Sequence, residues 1–204
     1  GTVTDGVTSF TDNGFVLGAN NSYNYTEKYV AWAWKAGGNK GTFNKDGVAY
    51  ASAAAAGLDG GSATPTGSSV GTKQGFSIIK ASGSNSAAKT FSHGLSQAPD
   101  FAIFKLLAAA PSNSIKQNWQ VYHKSLGNTK GLQLDLTDDA EVTSSLWNNT
   151  SPTDTLFSIG ASTRYEGAFI SYLWHDVPGL QKFGSYPGNG DTGDDGPFIE
   201  LGFR

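Results

Sequence analysis

The sequence predicts an all-β protein, an antiparallel β-sandwich of the jelly-roll or concanavalin-like type that is built from internal repeats. The first observation is a series of short apolar runs separated by Gly, Pro and Asp-Gly turn signals. The second is the composition, because 27 glycines, 12% aromatic residues and only 15% charged residues are typical of a compact, turn-rich β protein. The third is a repeated phrase: residues 11–19 (TDNGFVLGA) and 153–161 (TDTLFSIGA) are identical at five of nine positions.

Two segments alternate small and bulky residues, which is the pattern of a strand with one buried face. In residues 29–34 (YVAWAW), Val30, Trp32 and Trp34 share one face, and residues 169–174 (FISYLW) repeat the pattern. Bulky residues that recur at matched positions are expected in a core rather than in a specific site. The predicted core residues are Trp32, Trp34, Tyr172 and Trp174.

Shorter signals predict the remaining elements. Residues 15–17 and 101–107 are apolar runs, and the second is long enough for a central strand. Asp46-Gly47 lies between two short apolar segments and predicts a hairpin. We also predict strands at 119–123 and 132–136, the latter half-buried, a single helical turn at 137–141, and a loop or strand extension at the alanine-rich residues 51–56.

Further matches predict where the repeats begin and end. Residues 29–34 align with 169–174 after two residues are dropped, and residues 75–85 resemble 182–190. We therefore expect a piece of a longer repeated protein, folded as one compact sandwich. The predicted divisions are the C-terminal part of a preceding repeat (1–38), an insertion or linker rich in Gly, Ala and Ser (39–74), a complete repeat (75–181) and the start of a following repeat (182–204).

Composition and charge argue against several classes of function. A net charge of −3 gives no basic surface for phosphates, so nucleic-acid binding is not expected. No apolar run approaches the roughly twenty residues of a membrane-spanning helix, so membrane insertion is not expected. The sequence contains no cysteine, which excludes disulfides, thiolate metal sites and cysteine nucleophiles.

Residues 119–123 carry side chains that are suited to sugar recognition. On an alternating strand Trp119 and His123 face one way and Tyr122 faces the other. An aromatic ring and an imidazole on one exposed face could stack on a sugar ring and bond its hydroxyls. The predicted carbohydrate-binding residues are Trp119, Tyr122, His123 and the loop aromatic Tyr165, and the alternative is that Trp119 is a core residue.

Two acidic clusters are candidates for glycoside cleavage and for calcium binding. Glycoside cleavage requires two carboxylates that flank the bond, and residues 135–141 supply Asp135, Asp138, Asp139 and Glu141. We favour the alternative that these residues cap and turn the chain. The loop GNGDTGDDG holds Asp191, Asp194 and Asp195, which could bind Ca²⁺, although a solvated loop is the stronger interpretation and no other cofactor is expected.

His93 is the remaining candidate for catalysis. Ser92 and Asp100 lie nearby in the sequence, and a catalytic histidine needs a nucleophile and an orienting carboxylate. The interpretation that we favour is a turn histidine whose ring bonds the backbone between two strands.

Several motifs together resemble a repeat found in tail and tail-fibre-like structural proteins of marine bacteriophages, which are often described as lectin-like. The resemblance implies a virion component with a concanavalin-like or jelly-roll sandwich and glycan binding, and it implies no catalytic residues. The matching phrases are YVAWAWKAGG (29–38), NKDG (44–47), GFSIIKASGS (75–84), SHGLSQAPDFAIFK (92–105), WQVYH (119–123), LQLDLTDDAE (132–141), FSIGAS (157–162), KFGSYPGNG (182–190) and GPFIELGFR (196–204).

These observations lead to three hypotheses about function. The first is a non-enzymatic structural and interaction module on the surface of a phage particle, which assembles with copies of itself or other virion proteins and attaches to the host. The second is a lectin-like module that binds a host surface glycan. The third, ranked lowest, is a polysaccharide-degrading enzyme that uses the carboxylates of residues 135–141.

Overall fold

The computed structural model describes residues 5–20, 24–107, 118–190 and 196–203. They belong to two compact units, residues 1–34 and residues 35–204. Regular structure in the described residues consists of thirteen strands, one α-helix of four residues and one 3₁₀ turn. The all-β class that the sequence predicts is confirmed.

The first unit contains a β-hairpin. Strands β1 (Val7–Thr11) and β2 (Gly14–Leu17) pair antiparallel. Residues 29–34 form no strand, and the side chains of Trp32 and Trp34 are 79% and 53% exposed. The predicted strand at 29–34 and the predicted core placement of these two tryptophans are therefore wrong. The physical reason is that a two-stranded hairpin offers too little apolar surface to bury an indole.

The second unit is organised around a nine-stranded sheet. From one edge to the other its strands are β11 (Glu141–Val142), β10 (Lys130–Gln133), β9 (Gln120–His123), β8 (Phe101–Leu106), β13 (Gly167–Trp174), β6 (Phe76–Gly83), β5 (Gly67–Gly71), β3 (Phe43–Lys45) and β4 (Val48–Tyr50). Neighbouring strands are antiparallel except for the parallel pair β3 and β5. The eight-residue strand β13 lies at the centre and pairs with β6 over its whole length.

A second layer covers the inner face of this sheet. It consists of the antiparallel pair β7 (Lys89–Ser92) and β12 (Leu156–Ile159), together with helix α1 (Ser144–Trp147). The ring of Phe91 on β7 lies 6.0 Å from that of Phe104 on β8, and the ring of Phe157 on β12 lies 5.1 Å from that of Phe104. Trp147 of α1 joins the same cluster, 5.4 Å from Phe104. These contacts between the two layers form the core of a β-sandwich.

Strand β13 has aromatic side chains on both faces. Phe169 and Leu173 are buried against the second layer, whereas Ile170 and Tyr172 lie on the outer face and are half-buried. The face predicted as the core side is therefore the outer one. Trp174 is buried as predicted, but it packs on the outer face against Phe76 at 4.7 Å. Alternation in size does not reveal which face of a strand a second layer covers.

Residues 39–74 belong to the sandwich rather than linking its parts. They contain β3, β4 and β5, and they bury Leu58 and Val70 in the core. The hairpin predicted between β3 and β4 is confirmed, because Asp46 (φ 52°) and Gly47 (φ 84°) both adopt the left-handed conformation that a type I′ turn requires.

The segment after β10 differs from the prediction. Strand β10 ends at Gln133, and Leu134 and Leu136 are exposed. The helical turn lies at Ser144–Trp147 rather than at residues 137–141. It begins where the hydroxyl of Thr143 accepts a hydrogen bond from the Ser145 N–H. Helix formation here buries Leu146 and Trp147 in the core, whereas residues 137–139 are exposed.

Candidate functional site

The outer face of the nine-stranded sheet, opposite β7 and β12, carries a row of aromatic rings. The rings of Trp119 and Tyr172 are 6.5 Å apart, and those of Tyr172 and Trp174 are 6.4 Å apart. Phe101 lies 5.3 Å from Trp174 and 5.4 Å from Phe183. We call this surface the aromatic face; its members are Trp119, Tyr172, Trp174, Phe76, Phe101 and Phe183.

One end of the aromatic face combines an indole with a cation. Trp119 comes directly before β9, and its backbone N–H donates to Asp135 Oδ1 at 3.0 Å. Lys105 Nζ lies 5.5 Å from the centre of the Trp119 ring, within the range of a cation–π contact. Trp119 is half-buried, so part of the indole is accessible to solvent. This end of the face is therefore suited to an apolar ring that carries polar groups.

His123 lies on the same face, as the alternation of residues 119–123 predicts. Its ring is 6.2 Å from that of Phe101, and Nδ1 accepts a hydrogen bond from the Ser125 N–H at 3.1 Å. Burial, and then the charge of Lys124, lowers the pKa of His123 below its usual value. Because Nδ1 accepts this hydrogen bond, the proton of the neutral imidazole is on Nε2.

Tyr122 and Tyr165 do not belong to this surface. Tyr122 points to the inner face, where its ring lies 5.3 Å from that of Phe157. Tyr165 closes the 3₁₀ turn Thr163–Tyr165, is 1% exposed, and packs 5.8 Å from Phe104. Burial raises the pKa of Tyr165 well above its usual value. Both tyrosines are core residues, and their predicted contact with a sugar is wrong because the second layer covers them.

A charged cluster at one end of strands β8, β9 and β13 was missed by sequence reasoning. Lys124 Nζ lies 3.1 Å from Asp100 Oδ1 and 3.0 Å from Asp176 Oδ2. Asp176 Oδ1 accepts a hydrogen bond from the Phe183 N–H at 2.6 Å, which fixes the start of the C-terminal segment. The sequence does place these charged residues next to strands: Asp100 precedes β8, Lys124 follows β9 and Asp176 follows β13 closely. Their proximity can be inferred only when these strands are known to be neighbours in the sheet.

His93 is a structural residue. It is fully buried, its Nε2–H donates to the Thr153 carbonyl at 3.0 Å, and its Nδ1 accepts from the Leu95 N–H at 3.2 Å. Ser92 Oγ accepts from the Gly60 N–H, and Asp100 is bound to Lys124. The interpretation of His93 as a turn histidine that bonds the backbone is confirmed.

Two of the carboxylates of residues 135–141 bond other parts of the chain, and two lie in an exposed loop. Asp135 accepts from the Trp119 N–H, and Glu141 Oε2 lies 2.6 Å from Arg164 Nη1. Asp138 and Asp139 are exposed in the loop between β10 and β11. Asp135 and Glu141 therefore bond distant parts of the chain rather than capping a helix, and only the exposed loop positions of Asp138 and Asp139 agree with the cap and turn interpretation.

The described residues give no support to a metal site or a membrane span. Among them, no group of three or more His, Asp or Glu side chains is placed to hold a metal ion. The proposed calcium ligands Asp191, Asp194 and Asp195 lie outside the described residues. None of the helices in the described ranges has the length and apolar character needed to cross a bilayer.

Two cavities are lined by the C-terminal segment. The first, of about 270 Å³, lies between residues 176–182 and 201–203. The second, of about 400 Å³, lies between residues 182–186 and 198–201, where Tyr186, Phe198, Ile199 and Leu201 line it. Both are bounded mostly by chain that has no regular structure.

Comparison with known proteins assigns the chain to a family whose function is not described. No curated protein and no solved structure matches this chain. A family model described as a domain of unknown function, DUF7483, matches residues 1–204, so the chain belongs to that family.

Proposed function

We propose that this chain is a non-enzymatic structural and interaction module on the surface of a bacteriophage particle, where it assembles with copies of itself or with other virion proteins. The observation that carries the proposal is the exposure of large apolar side chains in two segments. Phe10, Val30 and Trp32 are exposed in the first unit, and Phe198 is exposed near the C-terminus. Burial of large exposed apolar side chains against another protein surface favours association. The resemblance to phage tail proteins supports the particle as the setting.

Light scattering coupled to size-exclusion chromatography tests this proposal. A monomer of this chain has a mass of 21.3 kDa. We expect a mass of at least two copies that increases with concentration, since burial of exposed apolar side chains favours association. A mass of one copy at every concentration would contradict the proposal.

A second candidate function is binding of a host surface glycan at the aromatic face. Trp119 and His123 share this face, and Tyr172 and Lys105 lie beside the indole. A half-exposed indole next to polar groups is a surface on which a sugar ring can stack while its hydroxyls are bonded.

Titration with host polysaccharides or a glycan array tests the second candidate. We expect Trp119→Ala to abolish binding, because the variant removes the stacking surface. Tyr25→Ala is the matched control, since Tyr25 is an exposed aromatic residue of the first unit. Equal binding by both variants would show that the sugar lies elsewhere, and failure of the unaltered chain to bind would leave only the structural role.

A further inference from the structure

We propose that the aromatic face binds an anionic polysaccharide, whose sugar rings contact Trp119 and Tyr172 and whose carboxylate or sulfate groups bind the ammonium groups of Lys105 and Lys80. The inference rests on the second candidate function, glycan binding at this face, and adds the chemical class of the glycan. It follows from the arrangement of side chains on the outer face of the nine-stranded sheet, which the strand register fixes.

The register arranges the outer side chains in rows that cross the strands. In one row Tyr172 of β13 lies between Ile78 of β6 and Ile103 of β8. Val121 of β9 and Leu132 of β10 continue this row, and none of its side chains is charged. The outward positions of a two-layer sandwich are ordinarily polar. An apolar row that is only half-buried at Tyr172 and Ile103 therefore indicates a binding surface.

The next row toward one end of the sheet carries two lysines. Ile170 of β13 pairs with Lys80 of β6 on one side and with Lys105 of β8 on the other. The two lysines are therefore separated by two strand spacings, about 10 Å between their Cα atoms. Lys105 Nζ also lies 5.5 Å from the centre of the Trp119 ring. An aromatic ring and two cations thus lie side by side on one face.

The charge of this face is opposite in sign to that of the chain. In the described part of the chain, the outward positions of the six strands from β10 to β5 hold Lys80, Lys105 and Lys130, and none of them holds Asp or Glu. The chain as a whole has a net charge of −3. Because opposite charges attract, this face favours an anionic partner over a neutral one.

Carboxylates lie at the border of the face and outside the lysine row. Asp135 Oδ1 accepts a hydrogen bond from the backbone N–H of Trp119 at 3.0 Å. Asp100 and Asp176 lie at the opposite end of β8, where both bind Lys124 Nζ. An anionic ligand is therefore attracted to the end of the face that holds the two lysines.

A sugar that carries an acidic group matches these features in two ways. Its ring can pack on an indole or a phenol ring. Its carboxylate or sulfate accepts charge-assisted hydrogen bonds from lysine, which are stronger than those between neutral groups. A polymer repeats the acidic group, so two of its groups can bind the two lysines together. Polymers of uronic acids and sulfated polysaccharides share this chemistry.

Matched pairs of polymers test the need for charge and distinguish the two sources. Titration calorimetry compares galacturonan oligosaccharides with their fully methyl-esterified form, and dextran sulfate with dextran, so that each pair differs in charge on the same sugar ring. Poly-glutamate supplies charge without sugar. We expect one charged polysaccharide to bind at least about tenfold more tightly than its neutral form and than poly-glutamate. High NaCl should weaken this binding, because salt screens exposed charges.

Lysine variants test the location of the site. Lys80→Gln combined with Lys105→Gln removes both cations of the row, and we expect it to weaken binding of the charged polysaccharide about tenfold. The matched control combines Lys73→Gln with Lys89→Gln, which changes the net charge equally. Lys73 lies in the turn before β6, at the far end from Lys80, and Lys89 lies on β7 in the second layer. The control should bind as the unaltered chain does.

The outcomes separate this inference from glycan binding itself. If a neutral polysaccharide binds as tightly as its charged form, the anionic class is overturned and glycan binding stands. Equal affinities of the two double variants would place the anion elsewhere, and equally tight binding of poly-glutamate would show recognition of charge without sugar; either result overturns the inference. If the unaltered chain binds none of these polysaccharides, the inference is overturned, and the glycan array decides whether glycan binding stands.

Discussion

The buried imidazole of His93 makes the stability of the sandwich depend on pH. Burial lowers the pKa of His93 from 6.5 to about 4, against the opposing hydrogen bond to Thr153. Between these values the unfolded chain binds a proton that the folded chain does not, so the free energy of unfolding decreases as the pH falls. From pH 7 to pH 5 we expect a loss of about 2 kcal/mol, measured by urea unfolding at each pH.

Substitution of His93 separates this effect from other titrating groups. His93→Gln keeps a donor toward Thr153 but has no group that titrates, so the loss between pH 7 and pH 5 should largely disappear. His123→Gln is the matched control, because His123 is only half-buried, and this variant should keep most of the pH dependence. Equal pH dependence in the two variants would show that another group carries the effect.

At the scale of elements, helix α1 and strand β12 meet without space for a side chain. The Gly160 N–H donates to the Leu146 carbonyl, and a Cβ on Gly160 would collide with the carbonyl of Ser145. Gly160→Ala must push α1 away from the sheet and disturb Trp147, so we expect it to lower the free energy of unfolding by roughly 3 kcal/mol. Gly184→Ala is the control, because nothing lies within 4 Å of its Cβ position. Equal urea midpoints for the two variants would contradict this account.

Elements could be predicted from the sequence where the determinants are local. The Asp46-Gly47 turn fixes the β3–β4 hairpin by itself, and the alternation of residues 119–123 correctly places Trp119 and His123 on one face. The face of β13 could not be predicted, because both faces carry large apolar residues and only the second layer decides which is the core. The same rule holds for the candidate site: the sequence places Trp119 on a partly accessible face, but it could not show that a second layer buries Tyr165.

Residues 29–34 have the sequence pattern of a strand but do not form one, which shows that a local pattern is not sufficient for strand formation. Its apolar pattern resembles that of residues 169–174 in β13, yet β13 is a strand because β6 and β8 flank it on both sides. Residues 29–34 have no such neighbours in the first unit, whose described strands are only β1 and β2. The sequence therefore specifies a strand, and the presence of partner strands decides whether it forms.

For the whole molecule, the hydrophobic core lies in one part of the chain. Among the described residues, every member of the core cluster falls between Phe43 and Leu173, and none lies in 5–20 or 24–34. A chain that begins at Lys35 keeps this core, so we expect it to retain near-ultraviolet circular dichroism and a single cooperative unfolding transition. A chain that lacks residues 1–83 also loses β3 to β6 with Val70 and Ile79, and should show neither.

The same truncation separates folding from assembly. Removal of residues 1–34 also deletes the exposed apolar side chains of Phe10, Val30 and Trp32, so the shortened chain should fold and yet self-associate less than the full chain. Light scattering at matched concentrations should therefore give the shortened chain a mean mass that is a smaller multiple of its monomer mass. A shortened chain that unfolds without cooperativity would place part of the core in the first unit. A shortened chain that self-associates as strongly as the full chain would show that the copies join through another surface.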